Sequence, residues 1–218
     1  MQNIPQENTE SSQQDDGLIE FIAPDIEHLT IIKASETSQI ERPKIVFSDE
    51  LIPQFQLGHT DIRIELKHLF MMQQAAIALL AEAQREILIV SPDLEHERFD
   101  NEAFCEALSA FARSSRYTST KILIADPQLA IEDGHRVIKL MRRISSLIEI
   151  RQLHEHDIEH AEAVMITDSI GLLRCINRDP WQGSLLPKGT PYAQQMRERF
   201  MEWWERGAEI SDFRELKI

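Results

Sequence analysis

Residues 86–125 read EILIVSPDLEHERFDNEAFCEALSAFARSSRYTSTKILIA, and this stretch decides the fold class. It begins and ends with short apolar runs, residues 86–90 and 121–125, and each run is followed by a proline at the second position. Such runs are typical of buried strands. Between them, residues 101–115 carry apolar side chains at helical spacing, with acids early and Arg113 late, as the helix dipole favours. A strand, a helix and a second strand in this order predict a parallel α/β unit.

The same alternation continues on both sides of this stretch. Further strands are predicted at residues 148–153, 163–167 and 171–176, and helices at residues 62–84, 134–146 and 191–208. These elements predict an α/β sandwich in which a mixed sheet is flanked by helices. In the last helix Trp203 and Trp204 are adjacent, so we expect one to pack in the core and the other to be available for an interface.

The charge of the chain is unevenly distributed along its 218 residues. The formal net charge is −14, and a surface of that sign repels phosphate backbones, so nucleic-acid binding is disfavoured. Residues 1–17 are polar and are expected to be disordered, and residues 18–58 form an acidic arm with short apolar segments. Residues 59–218 are expected to form the α/β domain. The arm is therefore a candidate interaction segment, although a solvated extension would have the same composition.

The sequence also indicates where the protein resides. Cys105 and Cys175 are far apart and form no disulfide framework, which fits a reducing compartment. The first residues lack the basic start and apolar run of a signal peptide, and the most apolar helical stretch is too short and polar to span a bilayer. We therefore expect a cytoplasmic protein without a membrane segment.

A second stretch, residues 160–177, reads HAEAVMITDSIGLLRCIN. It resembles the signature of the phospholipase D superfamily, which is H-x-K, four residues, D, six residues and G-S-x-N. In this register His160 and Asn177 fall on the family's histidine and asparagine without a gap. The remaining positions differ: Glu162 replaces the lysine, Thr167 the aspartate, Arg174 the glycine and Cys175 the serine, while Asp168 lies one position beyond the aspartate.

The resemblance implies a phospholipase D-like sandwich and a particular chemistry. In the family the histidine attacks phosphorus, a second histidine protonates the leaving group, and the lysine holds the phosphate oxygens. Glu162 places a negative charge where that chemistry requires a cation. The leading hypothesis is therefore a catalytically inactive module that acts by binding, with a protein partner favoured over nucleic acid and no cofactor.

Two alternatives remain open. A phosphodiesterase or nuclease-like hydrolase could use His160 and Asn177 with Arg174 as a substitute cation, and it would have to be a homodimer because one half-domain supplies only one histidine. The pattern as a whole, including residues 113–117 and 134–136, also resembles an uncharacterised gammaproteobacterial family that is sometimes encoded beside, or fused to, a GNAT acetyltransferase. That resemblance implies a regulatory partner of such an enzyme.

Two further groups of residues are candidate binding sites. Arg136, Lys139 and Arg143 align at helical spacing and could bind phosphate, although a solvated helix face would show the same pattern. The segment containing His154, His156 and His160 has ligand types that suit zinc. Its spacing follows no standard metal motif, so a polar loop between two strands is the favoured interpretation.

Overall fold

The computed structural model describes residues 44–47, as backbone only, and residues 51–132 and 134–214. The strands are β1 (Lys44–Phe47), β2 (Ile62–Leu66), β3 (Glu86–Ser91), β4 (Ser119–Ile124), β5 (Ile148–Gln152), β6 (Val164–Thr167), β7 (Gly171–Arg178), β8 (Trp181–Leu186) and β9 (Ala208–Glu209). The helices are α1 (Leu69–Glu82), α2 (His96–Phe99), α3 (Glu102–Ser114), α4 (Gln128–Glu132), α5 (Arg136–Arg143), α6 (Glu155–Ile158), α7 (Tyr192–Arg206) and α8 (Ser211–Arg214).

The strands form one mixed sheet in the order β1-β2-β8-β7-β6-β3-β4-β5-β9. One side of the sheet is parallel, because β3 pairs with β4 and β4 with β5 in parallel registers. On the other side of β3 the pairing becomes antiparallel through β6, β7 and β8. The beginning of β6 therefore lies at the same edge of the sheet as the ends of β3 and β7.

The two faces of the sheet are covered by different helices. Along β3, Ile87 and Ile89 belong to a core with α1, α3 and α5, whereas Leu88 and Val90 belong to a second core with α7. This division follows from the period of two residues along a strand. Since both faces are covered, β3 and β6 are buried along almost their whole length, and the result is the α/β sandwich that the sequence predicts.

The predicted strands and helices between residues 86 and 208 are all present, with ends shifted by a few residues. The helix predicted over residues 62–84 is wrong at its beginning. Ile62–Leu66 is a strand that pairs with β1 and β8, and the helix starts only at Leu69. Alternation of Ile62, Ile64 and Leu66 is a strand pattern, and the sequence interpretation merged it with the helix that follows.

Two further differences between the sequence interpretation and the structure concern β8 and the last helix. The first is β8, whose interior contains Gly183. A Cβ atom at that position would lie 2.3 Å from the Arg174 carbonyl oxygen and 2.6 Å from Met72 Sδ, so the strand requires a glycine there. The second is the place of the tryptophans. Trp203 and Trp204 are both buried in the core beneath α7, so the expectation that one is available for an interface is wrong.

The amino-terminal region is described only in part. Of the apolar patches in the arm, residues 45–47 lie within the edge strand β1, which pairs in parallel with β2. The patches at residues 18–22 and 29–32 lie outside the described residues, and so does the tail at residues 1–17. Among the helices of the described ranges, none combines the length and the apolar character needed to cross a membrane.

Candidate functional site

The signature-like residues lie at one edge of the sheet. Val164 at the start of β6 is opposite Val90 near the end of β3 and opposite Arg174 in β7. Glu162 precedes β6 by two residues, and Asn177 lies near the end of β7. Strand pairing thus brings the residues aligned with the family's lysine, glycine and asparagine to the same edge of two neighbouring strands, β6 and β7.

Glu162 and Arg174, which replace the lysine and the glycine, form an ion pair. Arg174 Nη2 lies 2.6 Å from Glu162 Oε2, and the two side chains are 32% and 38% exposed. The Tyr192 hydroxyl, from the start of α7, lies 3.3 Å from the same oxygen, and the Arg174 guanidinium lies over the Tyr192 ring. Burial raises the pKa of Tyr192, Arg174 lowers it, and the negative charge of Glu162 raises it further. The hydroxyl is therefore protonated and donates to Glu162. Tyr192 was not found from the sequence, because nothing local connects it to the signature.

His160 and Asn177 occupy the family's positions in sequence but make no hydrogen bond to each other. His160 is exposed just after α6, and its backbone N–H donates to the Asp157 carbonyl. The Asn177 side chain is engaged in its own turn, where Oδ1 accepts from the Arg178 N–H at 2.9 Å and Nδ2 donates to the Asp179 carbonyl at 3.0 Å. The register of β7 with β8 also shifts between Cys175 and Asn177. The Asn177 side chain therefore stabilises the turn between β7 and β8.

A buried ion pair lies in the loop and turn that follow β3. Arg98 Nη1 is 3.1 Å from Glu95 Oε2, and both side chains are at most 1% exposed. The Ser91 hydroxyl donates to the same oxygen at 3.3 Å, whereas Glu95 Oε1, Arg98 Nε and Arg98 Nη2 lack a hydrogen-bond partner. Glu95 also has a φ of 34°, a strained value for a residue with a side chain. In the sequence, this ion pair was indicated only by an acid and a base three residues apart.

Cys175, at the position of the family's serine, is not a reactive thiol. Burial raises the pKa of Cys175 to about 11, and the carboxylate of Glu95 contributes to the shift. The thiolate is the nucleophilic form of cysteine, so this group is unreactive at neutral pH. Cys105 in α3 is similar, since burial raises its pKa to about 11 as well.

Asp168 does not restore the family's aspartate. Asp168 directly follows β6, whereas Glu162 precedes it, so the two residues lie at opposite ends of this strand. Asp168 has a left-handed conformation with φ 52°. Its carboxylate accepts hydrogen bonds at 2.7–2.8 Å from the backbone N–H groups of residues 84–86. Asp168 therefore caps the turn between α1 and β3.

The three candidate metal ligands lie in an exposed loop. His154 caps α6 by accepting from the His156 N–H through Nδ1, at 3.4 Å. The loop is held to α7 by Asp157, which pairs with Arg206 at 2.7 Å, and the pKa of Asp157 is lowered chiefly by that hydrogen bond. Within the ranges that the structure describes, no group of three or more His, Cys, Asp or Glu side chains is arranged to hold a metal ion.

The basic stripe, in contrast, lines a groove. Arg136, Lys139 and Arg143 of α5 face Arg113 of α3 across a space of about 630 Å³. Sequence spacing placed the first three residues on one helix face, but only the packing of α5 beside α3 brings Arg113 to them.

Comparison with known proteins places the chain in a family and a fold. A family model described as "Domain of unknown function (DUF7931)" matches residues 68–216. No curated protein matches the sequence significantly.

Three solved structures are similar to this chain at low sequence identity. The archaeal chromatin protein TrmBL2 is 17% identical with a TM-score of 0.50, and the match covers 68% of this chain and 54% of that one. Phosphatidylserine synthase of Haemophilus influenzae Rd KW20 is 10% identical with a TM-score of 0.50, covering 72% and 41%. The phospholipase D family member Nuc of Salmonella typhimurium is 17% identical with a TM-score of 0.46, covering 62% and 88%. The chain thus spans about half of the TrmBL2 chain, and the expected sandwich of a mixed sheet flanked by helices is confirmed.

Proposed function

Because the chain belongs to the family described as a domain of unknown function (DUF7931) and has a phospholipase D-like fold, we propose that it is a catalytically inactive member of that fold which acts by binding a protein partner. The observation that carries the proposal is the ion pair between Glu162 and Arg174. In the register of the phospholipase D signature, Glu162 aligns with the lysine whose free charge the chemistry needs.

The electrostatics of this pair support inactivity. A phosphoryl group gains charge on its oxygens in the transition state, and a positioned cation is what stabilises that charge. Glu162 adds a negative charge at the lysine position, and Arg174 is neutralised by it at 2.6 Å. A substrate phosphate would have to displace the Glu162 carboxylate from Arg174 before it could gain a cation.

The neighbouring residues argue in the same direction. Arg98 is paired with Glu95 and is buried, so its charge does not reach a ligand at the surface. Cys175 is protonated at neutral pH, and Asn177 is engaged in its own turn. Among the signature-like residues only His160 has its side chain exposed without a hydrogen bond in the described part of the chain. A lone histidine provides neither the second acid nor the cation that the reaction needs.

The experiment is a hydrolysis assay with the full chain. We expect bis(p-nitrophenyl) phosphate and single- and double-stranded DNA to be hydrolysed no faster by the wild-type protein than by His160→Ala. Clear turnover that His160→Ala abolishes, with a specific activity that rises with protein concentration as dimers form, would overturn the proposal and establish the hydrolase. Binding is tested by capturing partners from the native host and reconstituting each complex from purified components.

The third hypothesis, a regulatory partner of a GNAT acetyltransferase, stays a prediction. The same reconstitution tests it, because such an enzyme would then be among the partners that bind the purified protein directly.

A further inference from the structure

The groove between α3 and α5 is a basic feature on an acidic protein. It lies on the sheet face opposite α7, between two helices that belong to consecutive parallel β-α-β units. We call it the α3–α5 groove. Its charged lining consists of four cations and two carboxylates: Arg113, Arg136, Lys139, Arg143, Glu102 and Glu106. The local excess of positive charge contrasts with the net charge of −14 for the whole chain.

Three of these cations are free to bind a ligand. Arg113, Lys139 and Arg143 are exposed and make no ion pair within the part of the chain that the structure describes. Arg136 differs, since its Nη1 donates to the Asp100 carbonyl at 3.1 Å and lies 4.0 Å from the Asp100 carboxylate. The cations therefore come from both walls of the groove, and only the one at the start of α5 is already engaged.

The start of α5 does not offer the usual phosphate site. Phosphates bind at helix N-termini through free backbone N–H groups. Here the Arg136 N–H donates to Asp100 Oδ1 at 2.8 Å, and the Val137 N–H donates to His135 Nδ1 at 3.1 Å. The ligand must therefore be recognised by side chains alone.

The spacing of the cations favours an extended ligand. Lys139 and Arg143 are separated by about 6 Å along α5, since a helix rises about 1.5 Å per residue, and Arg113 lies on the opposite wall. A peptide that carries several separate carboxylates can pair with all three of these free cations. Leu140 and Ala110 supply an apolar floor between the basic walls, which suits an apolar side chain of such a peptide.

Resting on the proposed function, we infer that the α3–α5 groove binds an acidic peptide segment of the protein partner, with apolar residues between its carboxylates. Nucleic acid fits less well. Glu102 and Glu106 lie in the groove and would repel an uninterrupted row of phosphates, whereas a peptide can place apolar residues beside them.

The test uses fluorescence anisotropy with a labelled peptide of about ten residues, a length that spans the groove when extended, composed of glutamates with interspersed leucines. We expect Arg143→Glu and Lys139→Glu each to weaken binding about five- to tenfold at low salt, and added salt to weaken it for the wild-type protein. Arg199→Glu is the matched control, because it makes the same charge change on an exposed face of α7 and should leave the affinity unchanged. Thermal unfolding establishes that each variant is folded.

Several results would contradict the inference. Equal weakening by Arg199→Glu would show that net charge and not the groove matters. Displacement of the peptide by inorganic phosphate or by a short oligonucleotide at lower concentration would show that the ligand class is wrong. Absence of peptide binding to the wild-type protein up to about 1 mM would also overturn it. A protein partner captured equally well by wild type and Arg143→Glu would refute the groove while leaving the proposed function intact, whereas hydrolytic turnover refutes the function independently of the peptide.

Discussion

At the scale of the residue, the most informative feature is the joint replacement at two positions on neighbouring strands. A glutamate at the lysine position would be an unpaired charge near a half-buried edge, and an arginine at the glycine position would be another. Because Glu162 and Arg174 lie together at 2.6 Å, each neutralises the other. The two residues that the signature register singles out are therefore partners in one ion pair.

The coupling can be measured by a double-mutant cycle. We expect Glu162→Ala, Arg174→Ala and the double variant to give an interaction energy of about 0.5 kcal/mol in chemical denaturation, because both side chains are about one third exposed and solvent screens the pair. The same cycle on Arg63 and Glu65 of β2 gives a reference interaction energy, because that ion pair has similar exposure. Strictly additive effects of the two single substitutions would show that the pair does not form in solution.

At the scale of the element, Asp168 stabilises the connection between α1 and β3. Its carboxylate accepts three backbone N–H groups of residues 84–86, which lie in the connection between the two elements. Backbone donors at such a turn need partners, and a side chain more than eighty residues away along the chain supplies them. The turn after β6 and the turn after α1 are thereby held together.

Removal of this carboxylate should destabilise the fold. We expect Asp168→Ala to lower the free energy of unfolding by about 2 kcal/mol, because three N–H groups lose an acceptor and alanine tolerates a φ of 52° poorly. Asp168→Asn keeps one oxygen and tolerates the conformation, so it should cost less. Asp126→Ala is the control, since Asp126 accepts only the Gln128 N–H among its side-chain hydrogen bonds. Equal effects of Asp168→Ala and Asp126→Ala would contradict this role.

At the scale of the whole molecule, stability should depend on pH through His135, which is 1% exposed. Burial lowers its pKa from 6.5 to about 4, with Asp100 opposing the shift and His96 and Arg136 adding to it. The unfolded chain therefore binds a proton at higher pH than the folded protein. Stability is full above about pH 6.5 and should fall by up to about 1.4 kcal/mol per pH unit as the pH drops from 6.5 to 4.

The variant His135→Asn isolates this effect. Asparagine can still accept the Val137 N–H as the cap of α5 but does not titrate, so the decline between pH 6.5 and 4 should become shallower. Denaturant unfolding at a series of pH values measures it. The salt-bridged Asp157 contributes mostly at lower pH, because its pKa is lowered from the ordinary value of 3.8 and its contribution is lost as the pH falls through and below that value. An unchanged pH profile in His135→Asn would contradict the assignment.

Local patterns in the sequence determined the order of the central elements. The apolar runs at residues 86–90 and 121–125 are strands because both faces of the sheet are covered, and the helical spacing of residues 101–115 is one buried face of α3. These patterns depend on neighbours within a few residues, so they can be interpreted without the fold. The strand pattern of Ile62–Leu66 directly precedes α1, and it was misinterpreted as part of that helix. A glycine interrupts the apolar pattern of β8, and this strand was missed.

The sequence alone also placed Glu162 at the lysine position and gathered Arg136, Lys139 and Arg143 on one helix. It could not show that Arg174 and Tyr192 contact Glu162, or that Arg113 faces the basic stripe. Those contacts join residues on different strands and helices, and their distances depend on strand register and helix packing. Charges far apart along the chain neutralise each other or converge only when tertiary structure brings them together, and so the tertiary structure decided which cations are free.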